Sequence, residues 1–186
     1  MGTLAVVILA AGKGKRTGLP GAKVLLPLCG ATLIECVLQT VAALRPERCV
    51  VVVHHGREQV FAALHGYPGL LFAQQGVPLG TGHAVLAARE TLRGHQGAVL
   101  ILYGDVPLVR AEDLRLLVEE VERGADMALL TSVPSDPAGL GRILRDEAGG
   151  LRGILEERDC GPAELALREV NPGFYCLRAD RLWPAL

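Results

Sequence analysis

Residues 4–10, LAVVILA, form a near-continuous apolar run that breaks at once into AGKGKRTG at 11–18, and the kind of strand this run makes decides the fold. A strand with one face in water alternates apolar and polar side chains, whereas a strand covered on both faces has no polar side to show. This run is of the second kind, and it recurs at 48–54 (RCVVVVH), 69–74 (GLLFAQ), 98–103 (AVLILY) and 126–133 (DMALLTSV). Helical spacing fills the intervals. Leu33, Ile34, Val37, Leu38, Val41 and Leu44 make one apolar stripe, and comparable stripes run through 57–65, 83–93 and 111–123. Alternating strand and helix predicts an α/β three-layer sandwich, its sheet mostly parallel and covered by helices. After Pro134 the rhythm changes. GRILRDEAGGLRGILEE at 141–157 reads as two short strands joined at Gly149 and Gly150, an antiparallel β addition towards the C-terminus. A further strand is expected at 169–177, EVNPGFYCL, with a helix beginning in DRLWPAL.

Half of the 186 residues are hydrophobic and the net charge is −1. That is enough apolar material for one substantial core, and it gives no general attraction to nucleic acid or to an anionic membrane. No nucleic-acid or membrane partner is therefore expected, and any polyanion must be captured by a local cluster of bases; a homo-oligomer is compatible with this composition. Five cysteines, Cys29, Cys36, Cys49, Cys160 and Cys176, are odd in number and hold no C-x-x-C pair. They predict reduced, mostly buried thiols in place of a zinc site or a disulfide framework. LAVVILAA is too short to span a bilayer, and its bases follow it, unlike those of a secretory signal, so a cytoplasmic location is expected. All three lysines, Lys13, Lys15 and Lys23, lie in one short stretch while arginine is spread along the chain. An ammonium is a compact point charge suited to phosphate oxygens.

In an open α/β sheet, ligands bind beyond the carboxyl ends of the strands. The loop after the first strand is not a Walker A loop, which needs G-x-x-x-x-G-K-[ST], and it fails G-x-G-x-x-G because Thr17 stands where the third glycine belongs. What remains is a set of small residues, Ala10, Ala11, Gly12 and Gly14, able to bring backbone amides against a nucleotide, with Lys13, Lys15, Arg16 and Lys23 to meet its phosphates. The plainer alternative is a solvated turn. In LILYGDVPL, 100–108, Asp105 follows an apolar strand and a glycine, where a carboxylate can hold Mg²⁺ or can cap the next turn. Between these loops lies QQGVPLGTGHAV, 74–85, in which Gly80 and Gly82 flank Thr81 just ahead of a helix. Free amides and a hydroxyl there can read a base or a phosphate, or Thr81 can simply cap the helix. His83 reads as a packing or hydrogen-bonding residue. No nucleophile, base and orienting acid stand in order along the chain.

Taken together, LAAGKGKR (9–16) with Lys23 seven residues on, PLGTGHA (78–84), YGDVPL (103–108), GLGRI (139–143), GILEERD (153–159) and EVNPG (169–173) resemble a known family. In order and near-constant spacing they are similar to the uridylyltransferase domain of the N-acetylglucosamine-1-phosphate uridyltransferases, over almost the whole chain. The first motif is shared by many sugar nucleotidyltransferases; PLGTGHA joined to YGDVPL is more selective. The resemblance implies a Rossmann-like, GT-A-like nucleotidyltransferase fold. It implies Mg²⁺-dependent transfer of UMP from UTP to N-acetylglucosamine 1-phosphate, giving pyrophosphate and the UDP-N-acetylglucosamine used for cell-wall peptidoglycan. Residue by residue, it implies that Leu9, Ala10, Ala11, Gly12, Gln75, Gly80 and Thr81 hold the uridine, with Gly14, Tyr103 and Gly104 also in the substrate site. Arg16 and Lys23 become the catalytic cations on the triphosphate, Asp105 the Mg²⁺ ligand, and Gly141, Glu156 and Asn171 the holders of the amino sugar.

The chain departs from the family pattern in GKRT for GTRM, in Ala22-Lys23 for Pro-Lys, and in Pro78, where a base-reading glutamine is frequent. A single nucleotidyltransferase domain over 1–186 is expected, short at its C-terminus beside the family's. Neither the family's second metal-binding asparagine nor the hexapeptide-repeat acetyltransferase domain of the bifunctional members is expected within 1–186. Two other readings stay open from sequence. One is another small nucleotidyltransferase, either molybdenum cofactor guanylyltransferase-like or acting on a different sugar phosphate; the other is a nucleotide-binding protein with impaired catalysis.

Overall fold

The N-terminal apolar run becomes strand β1 (Leu4–Leu9), and all six of its side chains are buried. In this computed structural model, residues 2–12 and 21–186 are described. A tight hairpin of β2 (Pro27–Leu28) and β3 (Ala31–Thr32) leads into α1 (Leu33–Ala42). Helix α1 starts where it does because Thr32 and Glu35 close a capping box: the Thr32 N–H and hydroxyl both donate to Glu35 Oε2, at 2.7 and 2.8 Å. The same bonds hold the Glu35 carboxyl below the usual carboxylate range. Its stripe is placed as expected, with Ile34, Val37, Leu38 and Val41 buried and Leu44 lying past the helix end. Each such side chain taken out of water contributes roughly 1.5–3 kcal/mol.

Strand β4 (Arg48–Val53), α2 (Arg57–Leu64), β5 (Leu70–Gln74), α3 (Thr81–Ala87), β6 (Ala98–Tyr103) and α4 (Ala111–Glu122) continue the alternation. β7 (Met127–Leu129) is short. β1 lies between β4 and β6, parallel to both, and β4 is parallel to β5, so four of the expected runs make one parallel core sheet. Val7, Val50, Val52, Val99 and Ile101 on one face pack with Ala84 and Val85 of α3 and with Leu92. On the other face α4 packs against β6, and Val6, Ile8, Leu100 and Leu102 are sealed from solvent. No helix among the described residues is long and apolar enough to cross a membrane.

Next come β8 (Gly141–Arg145), β9 (Leu151–Leu155), α5 (Pro162–Leu165), β10 (Val170–Asn171), β11 (Tyr175–Arg178) and α6 (Ala179–Ala185). Two compact units result: Met1–Ala128 with Tyr175–Leu186, and Leu129–Phe174. In the second, β8 is flanked antiparallel by β10 and β9, as the pattern around Gly149 and Gly150 predicts. Asp146 Oδ1 accepts the Ala148 and Gly150 N–H groups and so shapes the hairpin turn.

Three expectations need correction. The strand expected over 169–177 is broken at Pro172-Gly173, where Gly173 has φ +89°; β10 stays in the three-stranded sheet while β11 runs antiparallel beside β6. Helix 83–93 is regular only to Ala87 and continues as turns. Of the five thiols only Cys49 and Cys176 are buried, and burial pushes both up to about 12, whereas Cys29 is exposed.

Gly97, where the chain enters β6, gives a stability prediction. A Cβ there would lie 1.8 Å from the Thr3 carbonyl oxygen, the acceptor of the Ala98 N–H that opens the β1–β6 ladder. Neither backbone can yield without losing that ladder, so Gly97→Ala should destabilise by about 2–3 kcal/mol, read as a lower urea midpoint at unchanged slope.

Candidate active site

The strand ends decide where a ligand can sit. Leu9 is in register with Val52 of β4 and with Tyr103 of β6, so the three central strands finish level at one rim. The chain is then pinned as it leaves each strand. Ala10 N–H donates to Val52 O (2.8 Å), Gln75 N–H to Val53 O (2.8 Å) and Gly104 N–H to Leu9 O (2.9 Å). Above this rim opens a cleft of about 350 Å³, lined by Leu9, Ala11, Gly12, Lys23, Val24, Gln75, Pro78, Gly80, Thr81, Ala84, Tyr103 and Asp105. Ala10 and Gly104, also expected at the substrate, are buried in the rim beneath it.

Lys23 and Asp105, 82 positions apart, meet in this cleft with Nζ 2.6 Å from Oδ2. Lys23 is carried by a single 3₁₀ turn, Lys23–Leu25, fastened by the buried Val24. The two side chains keep 39% and 26% of their exposure, so both charges face solvent and any polyanion that enters. No backbone N–H of the turn after Asp105 donates to its carboxylate among the described residues, so the carboxylate is not spent on capping. Nor does Thr81 cap α3. Gly80 takes the cap position with φ +126°, a conformation that favours glycine, and Thr81 Oγ1 faces the Tyr103 hydroxyl at 3.4 Å.

Gln75 is 2% exposed. Its side-chain Nε2 donates to Gly80 O at 3.2 Å and to His83 Nδ1 at 3.1 Å, while its main-chain carbonyl accepts from His54 Nδ1 at 2.8 Å. With its amide nitrogen held by two acceptors and its main chain held by His54, the Gln75 side chain is fixed in the wall of the cleft, which suits a residue that reads a base. His83 therefore has the hydrogen-bonding role expected of it, and His54 is a participant that the sequence did not single out.

No three His, Cys, Asp or Glu side chains converge on a metal position among the described residues. The cleft offers one carboxylate, Asp105. That donor set fits a hard divalent cation such as Mg²⁺, which takes one or two carboxylates and completes its shell with substrate phosphates and water.

In the second unit, Gly141 and Asn171 are register partners across β8 and β10, and Glu156 follows Leu155, the partner of Arg142 across β8 and β9. The three residues expected to hold the sugar thus share one end of the three-stranded sheet. Gly14 and Arg16 lie outside the described residues, as do Lys13, Lys15 and Thr17.

Residues 6–160 match the MobA-like NTP transferase domain. The chain belongs to this NTP transferase family. Its relatives include the bifunctional protein GlmU of a Synechococcus strain, 46% identical over 184 residues that are 98% of this chain and 28% of that protein. The bifunctional protein GlmU of Neisseria meningitidis is 45% identical over 180 residues, 97% of this chain and 38% of that protein. The chain spans 28% to 40% of the length of such relatives. Among solved structures, the 4-diphosphocytidyl-2C-methyl-D-erythritol synthase of Anaerococcus prevotii superposes with a TM-score of 0.67 at 15% identity, covering 98% of this chain and 74% of that one. The nucleotidyltransferase fold implied by the sequence motifs is therefore the fold of this NTP transferase.

Proposed function

We propose that the protein transfers UMP from UTP to N-acetylglucosamine 1-phosphate, with Mg²⁺ as cofactor. The observation that carries this reading is the Lys23–Asp105 pair, which opens on the same cleft as Gln75 and Thr81. Identity of 44–46% to GlmU proteins along nearly the whole chain favours the sugar-nucleotide reading over a guanylyltransferase.

The chemistry asks little covalent help of the protein. A phosphate oxygen of the sugar phosphate attacks the α-phosphorus of UTP, the bond from that phosphorus to the β-bridging oxygen breaks, and pyrophosphate leaves with the electron pair. The nucleophile is already an anion, so no general base is needed. The obstacle is bringing two polyanions together in line, and alignment of bound reactants contributes roughly 7–11 kcal/mol. Leu9, Ala11 and Gly12 place backbone against the nucleoside, Gln75 and Thr81 orient the base, and Lys23 with Arg16 offsets charge on the phosphates. Gly141, Glu156 and Asn171 hold the amino sugar. Asp105 would hold Mg²⁺, which supplies positive charge for the bridging and leaving oxygens when bound.

Labelled UTP should enter UDP-N-acetylglucosamine when Mg²⁺ is present and not after EDTA. Equal product without any divalent metal would overturn the cofactor, and no transfer to N-acetylglucosamine 1-phosphate would overturn the substrate. Pro78 supplies a further check. It lines the cleft with no side-chain donor, so Pro78→Gln should raise the kcat/KM preference for UTP over CTP about fivefold, the worth of one neutral hydrogen bond.

A further inference from the structure

Arg142 stands in the middle strand of the three-stranded sheet, yet its side chain is only 3% exposed. Its guanidinium reaches back to the turn before β8, where one terminal nitrogen donates to Pro137 O at 3.0 Å and also to Leu140 O. The other terminal nitrogen meets Glu157 Oε1 at 3.4 Å, and Glu157 Oε2 accepts the Gly139 N–H at 2.8 Å. Arg142 Nε is buried with no partner among the described residues. The result is a closed clamp. It fastens the turn 137–140 to the 3₁₀ turn Glu157–Asp159 that follows β9.

We infer that the Arg142–Glu157 pair is the positioning device for the sugar-phosphate subsite, an inference that rests on the function proposed above. Gly141 begins the residue after Leu140, and Glu156 is the residue before Glu157, so the clamp grips the chain directly beside two of the three sugar-holding residues. The third, Asn171, is tied to the same point through its register with Gly141. A side chain at Gly141 would be crowded there, since a Cβ would meet Ile154 Cγ2 at 3.2 Å. A buried guanidinium with an orphaned Nε–H is a poor source of stability, because an apolar side chain of equal volume in such a place is often neutral or better. What the fork does, and an apolar residue cannot, is fix two carbonyls and a carboxylate at set angles.

The test uses Arg142→Met, which keeps volume, and Glu157→Gln, which keeps shape at a residue 36% exposed. In each, KM for N-acetylglucosamine 1-phosphate should rise roughly tenfold to a hundredfold through misplacement of Gly141 and Glu156. KM for UTP and the calorimetric Kd for UTP should stay within about twofold, because none of the residues that line the nucleotide cleft belongs to the clamp. The double variant should be no worse than the more damaged single, since the two residues act as one unit. Should Arg142→Met fail to fold, Glu157→Gln decides alone. A sugar-phosphate KM within about twofold of the native value, or equal rises for both substrates, would overturn the inference while leaving the enzyme reading intact. A native chain that binds UTP and transfers it to no sugar phosphate would remove the function itself, a result separable from the first because it appears before any substitution is made.

Discussion

Lys23→Ala should lower kcat about 10²- to 10³-fold while barely moving the urea midpoint, because a preorganised cation aimed at developing phosphate charge is worth that much. The rival view is that Lys23 only braces the 3₁₀ turn through Asp105. With 39% and 26% of the two side chains exposed, that pair is worth only about 0.2–1 kcal/mol of stability. The turn has a better anchor in the buried Val24. The two views therefore separate on a single pair of measurements, rate and midpoint. A variant with near-native kcat and a lowered midpoint would make Lys23 structural. Lys23→Arg should not restore the rate, since a broad planar fork cannot occupy the place of a compact ammonium 2.6 Å from a carboxylate.

The sheet was readable in the sequence because strands buried on both faces have no choice but to be apolar, and β1, β4 and β6 are such strands. Their common end then fixed where Asp105 must emerge, since Leu9 and Tyr103 are in register. That Lys23 and Asp105 share one rim was legible from the motifs, but their direct ion pair across 82 positions was not, because it depends on how the hairpin β2–β3 and its preceding turn fold back, and two-residue strands carry no periodicity to read. The break at Pro172-Gly173 was masked by apolar residues on both sides, although Pro-Gly is itself a turn signal that outweighs the strand pattern. Arg142 is the clearest miss. In GRILR it alternates with Ile143 as a solvent-facing residue would, and only the return of the turn 137–140 over it makes it buried.

Asp105→Asn should cost at least a hundredfold in turnover, and more than Lys23→Ala if the carboxylate is the only protein ligand to the metal, since a bound divalent cation contributes several kcal/mol of charge stabilisation. Asparagine keeps the shape and can still accept a hydrogen bond from Lys23, so the fold should stand; what is lost is the anionic oxygen that a hard cation prefers. Mn²⁺ affinity measured by electron paramagnetic resonance in the presence of UTP should fall, and this readout does not pass through turnover. If Asp105 served only as the counter-ion of Lys23, metal affinity would be unmoved and the combined Lys23→Ala/Asp105→Asn variant would be no slower than either single change. If the ammonium acts on the phosphates and the carboxylate on the metal, the two losses compound.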